Sequence, residues 1–434
     1  VALARDHDGA ADGRDRAAVV APDARADMKA LIIDPAVHSL GGHHFNAVQR
    51  LQGELAGLGV AAPCLGSAYA DRPVVEQLAC TPIFTRSVYG RLYATPGEFA
   101  DSVEETGRQL AEAMRRSGMP DLIILPCCDQ VSAMALARQL RRSWSRPRVL
   151  LWLLYGPHHL KTPDDPAAAG LVGEARTAFA ELAASAGTIE AYCETPAMAD
   201  FYRNLVPFAV GVMAGPGLPA RARAARAAGG PPVVSCIGFA NRAKGYRLLP
   251  QALQHVLDRH GDVRFMIHGI VKGSDAEADQ PLFDRLAELG ERVEVRQEVL
   301  ASDEYLARLA EADLLLLPYA PDVYRWRGSG VFADAHHVGI PVVAPKECAF
   351  AQPAFEGGWG VAMKEYDGKS LGIAVLEAVD RLEPLGACAA EAAGRARDGL
   401  GRVLSASVEG QTGRSSGLAG LLRRFRPSTT PGSA

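Results

Sequence analysis

Residues 324–343, "YRWRGSGVFADAHHVGIPVV", hold a dense set of chemically useful groups within a chain of 434 residues. Arg325 and Arg327 stand beside Gly328-Ser329-Gly330, and the short apolar-patterned segment that follows carries Asp334, His336 and His337. Guanidinium groups, a glycine turn and the unpaired amides of a helix N-terminus together suit phosphate oxygens. Asp334 lies one turn too far into such a helix to cap it. A carboxylate facing the same site suits hydrogen bonds from sugar or ribose hydroxyls. Taken together, these residues ask for a nucleotide diphosphate joined to a sugar.

Two other loops offer related chemistry. In "DPAVHSLGGHHFNAVQRLQGEL", Gly41 and Gly42 directly precede a helical pattern, so a ligand could approach backbone N–H groups there. A plain strand-to-helix turn explains the pair equally well. In "CIGFANRAKGYRLLPQAL", Gly238 makes the turn and a helix is expected near Tyr246. Arg242 and Lys244 are the cations that could neutralise a diphosphate, the alternative being solvated loop charges. Six of the eleven histidines come in pairs, His43-His44, His158-His159 and His336-His337, all expected to line one cleft. None of the pairs has the i,i+4 helical spacing of a zinc site, so hydrogen bonding to sugar hydroxyls is preferred over metal binding.

These loops need elements to position them. From Met28 onward, short aliphatic runs alternate with longer helical patterns. The expected strands of the first half are 29–34, 121–126, 148–154 and 188–193, with helices near 44–58, 101–117, 130–142 and 168–186. Residues 218–232, "LPARARAARAAGGPP", have no apolar period and end in a breaker. The alternation then restarts with strands at 232–239, 263–269, 292–297, 313–319 and 340–345. This is an α/β pattern of two doubly wound Rossmann-like domains with parallel sheets, and ligands of such sheets bind beyond the carboxyl ends of the strands. The expected division is 1–27 as a disordered extension (with Met28 as an alternative natural start), 28–225 and 226–385 as the two domains, and 386–434 as a helical segment with a flexible tail.

Composition narrows the partners. The net charge of −4, from 46 basic and 50 acidic residues, gives no reason to expect nucleic acid. The eight scattered cysteines form no CxxC motif and fit a reducing cytosol. The longest apolar run, "VLLWLLYG", is too short to span a bilayer. The basic amphipathic piece "GLAGLLRRFRPSTTPGSA" allows at most a weak contact with the inner face of a membrane. The expected location is the cytoplasm.

The segments "GFANRAKGYRLLPQAL", "ADLLLLPY" and "RGSGVFADAHHVGIPVV" resemble, in order and spacing, the motifs of retaining glycosyltransferases of family 4, a bacterial-type GT-B fold, from about residue 28 to 385. That resemblance implies a nucleotide-sugar donor, an acceptor hydroxyl on a sugar, lipid-linked sugar or small molecule, an interdomain cleft, and no cofactor or metal. It also implies the site residues. Lys244, Arg242, Arg327 and His158 would act on the departing phosphate and the reacting sugar. Gly41, Gly42, Gly238, Arg325, Gly328, Ser329, Gly330 and Asp334 would hold the donor, Asp334 on the ribose. In the family a loop arginine and a first glutamate precede these groups; here Phe239 and Trp326 stand at those positions.

Other readings of the same residues are weighed: a sugar-nucleotide epimerase, an α-glucan phosphorylase, which lacks a lysine-bearing pyridoxal site, a glycosidase, which needs two strand-end carboxylates where the strand ends read as Gly, Pro, Tyr and Cys, or a non-catalytic scaffold that keeps the fold. An epimerase needs paired cleft carboxylates as acid and base, and from the sequence only Asp334 stands out. The metal expectation is directly testable: purified protein should carry substoichiometric zinc, and ligand binding should survive prolonged EDTA treatment. One tightly held metal per chain would overturn it.

Overall fold

The computed structural model describes residues 28–40, 42–86, 95–157, 166–217, 230–271 and 276–424. Gly41, His158, the expected extension 1–27, most of the linker and the tail after Arg424 lie outside these residues.

Among the described residues, the first half of the chain builds a seven-stranded parallel sheet. Its strands are β1 (Ala30–Ile33), β2 (Cys64–Ser67), β3 (Cys80–Phe84), β4 (Leu122–Leu125), β5 (Arg148–Trp152), β6 (Thr188–Cys193) and β7 (Val210–Val212), in the order β3-β2-β1-β4-β5-β6-β7. The second half builds a six-stranded parallel sheet from β8 (Val233–Phe239), β9 (Arg264–Ile270), β10 (Val293–Arg296), β11 (Leu314–Leu316), β12 (Val342–Pro345) and β13 (Gly360–Met363), in the order β10-β9-β8-β11-β12-β13. Runs such as "ALII", "LIIL" and "LLL" are apolar at every position because helices cover both faces of each sheet and bury every side chain.

The strands that the sequence pattern does not reveal are β2, β3, β7 and β13. β2 reads "CLGS" and β3 "CTPIF", neither with an aliphatic run. Pro82 lacks the N–H that a central ladder needs, and β3 is an edge strand, where that loss is tolerated.

Each domain has its own core. Leu51, Leu55 and Trp152 pack on one face of the first sheet, and Phe332, Phe350 and Trp359 on one face of the second. The helix Leu382–Arg424 belongs to both. Leu385, Ala389 and Ala392 join the second domain's apolar clusters, whereas Leu400, Leu404 and Val408 complete the cluster around Leu51 and Trp152. Arg148 donates from Nη1 to the Ala406 carbonyl at 3.1 Å and adds a polar tie on the same side. The helix therefore clamps the two domains at a fixed separation.

Leu404 is fully buried in the first domain's core. Leu404→Ala leaves a cavity there and should cost about 2–5 kcal/mol in urea unfolding. A loss below about 1 kcal/mol would show that the clamp contributes little.

Candidate functional site in the interdomain cleft

Both sheets reverse their strand order beside their first strand. β1 lies between β2 and β4, and β8 lies between β9 and β11. Loops leaving the carboxyl ends at such a reversal part from one another and leave a crevice. The two crevices face each other across a cleft with a cavity of about 570 Å³.

The first domain contributes Asp34, placed directly after β1 and 1% exposed. Its Oδ1 accepts the Ala36 N–H at 3.0 Å, and its Oδ2 lies 2.8 Å from His44 Nδ1. With the carboxylate as acceptor, Nδ1 carries the proton and the ring is fixed in one tautomer. His43 lies beside it, ring centroids 4.0 Å apart, and opens onto the cleft. His43 itself is exposed on the cleft rim, and partial desolvation there, then His44 and Arg327, lower its pKa against the opposing field of Asp34.

The second domain contributes Gly238, Phe239 and Lys244. Lys244 ends a 3-10 turn, Arg242–Lys244, whose start is capped by Asn241 accepting the Lys244 N–H at 3.1 Å. Gly245 follows at φ +70, so close to the Pro318 carbonyl that any Cβ would collide with it. Only glycine fits, and this close approach fixes where Lys244 emerges. Its Nζ stands 3.7 Å above the Tyr319 ring. Burial, and then the field of Arg327, pull the ammonium down to about 7.

Gly328 and Gly330 also line the cleft, at the start of the helix Gly330–Val338. Asp334, in that helix, faces the cleft and accepts a hydrogen bond from the Tyr305 hydroxyl at 3.0 Å. His268 is 2% exposed and lines the same cavity. Its Nε2–H donates to the Glu298 carbonyl at 2.7 Å, which leaves Nδ1 as an acceptor with no partner among the described residues.

Glu194, directly after β6, reaches the cleft from the first domain. Its carboxyl lies against the backbone of Gly215 and Gly328, where a Cβ on either glycine would collide with it. Burial, with Asp334 nearby, raises its pKa to about 7 against the opposing effects of the Gly215 backbone and Arg327.

Several expected positions are corrected. Arg242 and Arg325 are exposed and lie outside the cleft lining. Arg327 is half-buried behind the cleft, its guanidinium 5.0 Å from the Tyr155 ring centroid and 5.3 Å from that of Tyr324. It acts on the site by its field, and its buried Nε has no hydrogen-bond partner among the described residues. Ser329 is buried and spends its hydroxyl capping the helix, accepting the Phe332 N–H at 3.2 Å. Of the histidine pairs, His336 and His337 are not part of the cleft lining, although His337, three residues beyond Asp334, shares its helix face and lies with it beside Gly217. His337 is buried against the Ala333 carbonyl, with its pKa lowered to about 4 chiefly by burial, and His336 stacks on Trp359. Gly41 and His158 lie outside the described residues.

The strand ends are also richer in acid than the sequence reading had them. Asp34 and Glu194 both follow strands and both line the cleft. The signal was present: "LIIDP" and "AYCETP" each place a carboxylate at the point where the strand gives way to a loop.

Residues 231–381 match the family model described as Glycosyl transferases group 1. No curated protein matches the chain. Among solved structures, sucrose-phosphate synthase from Thermosynechococcus elongatus is 14% identical with a TM-score of 0.57, covering 92% of this chain and 100% of that one. HepE from Anabaena, in complex with UDP, is 15% identical with a TM-score of 0.59, covering 88% and 100%. A UDP-N-acetylglucosamine 2-epimerase from Listeria monocytogenes, named as putative, is 11% identical with a TM-score of 0.52, covering 83% and 90%. At such identities the likeness speaks for the fold: two Rossmann-like domains in the GT-B arrangement.

A Lys244 ammonium destabilised by burial and by Arg327 regains its proton when an anion arrives beside it. Binding of a nucleoside diphosphate at pH 8 should therefore take up about one proton, seen by calorimetry in buffers of different ionisation enthalpy. Lys244→Met should abolish that uptake and weaken binding by roughly 1.5–3 kcal/mol. Unchanged affinity and proton uptake in the variant would remove Lys244 from the anion site.

Proposed function

We propose that the protein transfers a hexosyl group from a nucleotide diphosphate donor to an acceptor hydroxyl, in the synthesis of a glycan, glycolipid or other glycoconjugate. The observation that carries this reading is one cleft in which Lys244, the amide end of the helix Gly330–Val338 and Asp334 converge. The amides and Lys244 would hold the diphosphate, and Asp334 would accept hydrogen bonds from the ribose. As the sugar departs, negative charge grows on the phosphate oxygen it leaves. Preorganised amides and a lysine that becomes fully charged beside that oxygen stabilise the transition state.

Further features belong to the same proposal. Retention of configuration and membership of family 4 rest on the second-domain motifs, with the departing phosphate accepting the proton of the acceptor hydroxyl. The reaction would need no resident metal, and the described residues contain no group of three or more metal-binding side chains. No described helix is long and apolar enough to cross a membrane, and the proposed setting is the cytoplasm or its membrane surface.

A second reading, sugar-nucleotide epimerisation, is favoured by one specific observation: Asp34 and Glu194 give the cleft the additional carboxylates that acid–base chemistry at a sugar carbon needs. One experiment separates the two. Incubation with a panel of nucleotide sugars in water should release nucleoside diphosphate and free sugar slowly, as a transferase leaks to solvent. Conversion of one nucleotide sugar into its epimer would select the second reading. Inertness towards every donor, with tight nucleotide binding, would leave a scaffold.

A further inference from the structure

Glu194 occupies a position built by both domains. It leaves the first sheet after β6, and its carboxyl fills the space that two glycines, Gly215 from its own domain and Gly328 from the other, leave vacant. The next residue ties the same junction: the Thr195 hydroxyl donates to the carbonyl of Trp326 at 2.8 Å. Trp326 itself is 38% exposed and offers the cleft no acidic group. The glycine loop that follows it therefore has no carboxylate of its own before Asp334. The carboxylate on that loop comes instead from across the domain junction.

We propose that Glu194 is a donor-sugar ligand, its carboxylate accepting hydrogen bonds from hydroxyls of the transferred sugar. This rests on the transferase reading, which places the diphosphate at Gly328, Gly330 and Lys244 and the ribose at Asp334. In that reading the sugar attached to a diphosphate at the glycine loop would lie beside Gly328, the glycine against which the Glu194 carboxyl packs. Glu194 is the acid that the first domain presents to that loop. The carboxyl also stands between two spaces, since Glu194, Gly328 and Ala333 line both the cleft and a second cavity beside Phe332 and Trp359. A sugar that meets Glu194 is thereby stopped at the partition.

The charge state of this group sets the conditions of the test. Its pKa of about 7 places it mainly ionised at pH 8 and mainly protonated at pH 6. Asp334 and Arg327 are the charged groups that act on it. The thiols of Cys127 and Cys193, also nearby, are held uncharged by burial. A neutral carboxyl is a weaker acceptor than a carboxylate, so sugar recognition should strengthen as pH rises through 7.

Calorimetry with UDP, GDP and ADP, each paired with its hexose conjugate, reads the sugar's own contribution as the ratio of the two affinities. Glu194→Gln should leave nucleoside diphosphate affinity within about twofold and weaken the conjugate about tenfold at pH 8, with the difference shrinking at pH 6. Gly215→Ala should lose the same sugar preference with the carboxylate still present, because its Cβ displaces that carboxyl. Wild-type sugar preference in both variants overturns the proposal. Equal loss of diphosphate and conjugate in both variants also overturns it, by making Glu194 a structural group of the junction. If the wild-type protein binds none of the probes, the nucleotide reading itself falls, and this proposal with it.

Discussion

Parallel sheets wound with right-handed crossovers must send their connections to opposite faces on either side of the first strand, and the candidate site depends on that rule. Around β1 and again around β8 the departing loops diverge, and no side-chain packing can close the gap between them. Asp34 and His44 sit at one such gap, and Gly238 and Lys244 at the other. Residues from distant parts of the chain thus share a cavity because two sheets obey the same handedness and are held face to face. The shared helix Leu382–Arg424 supplies that holding, by contributing apolar side chains to both cores.

Enclosure between two domains then changes what the side chains are. Burial between the domains brings Lys244 and Glu194 to pKa values near 7 from opposite ordinary values. The cleft therefore carries less charge than its composition suggests. A polyanion entering it meets groups that can still change protonation, in surroundings where each charge interacts strongly. Arg327 contributes from behind, packed near the rings of Tyr155 and Tyr324, and acts on three titrating groups without lining the cavity.

The doubly wound architecture was legible because buried parallel strands announce themselves as aliphatic runs. β4, "LIIL", and β6, "TIEAYC", fall within the expected segments, and the interior helices begin and end within a few residues of theirs. Strands of mixed composition were not, since β2 and β3 draw their stability from neighbours rather than from their own residues. At the site, glycines and Lys244 were readable from turn chemistry. Side-chain direction was not. Whether an arginine in an irregular loop faces protein or solvent depends on the path of that loop, so Arg325 and Arg327 looked alike, yet Arg325 is exposed and Arg327 half-buried. Glu194 escaped notice because its position beside the second domain's Gly328 exists only once the two domains meet.

The long helix also orders events in time. A ribosome emits the first sheet early, yet the apolar patch around Leu51 and Trp152 stays uncovered until Leu400, Leu404 and Val408 have been synthesised and have folded back. During that interval the nascent first domain exposes a surface that another chain, or a chaperone, can occupy. This docking step joins Leu51 to Leu404 across both domains, which makes it a late, high-contact-order event. The cleft accordingly acquires its working width only after the long helix has been made, when both of its walls are already complete.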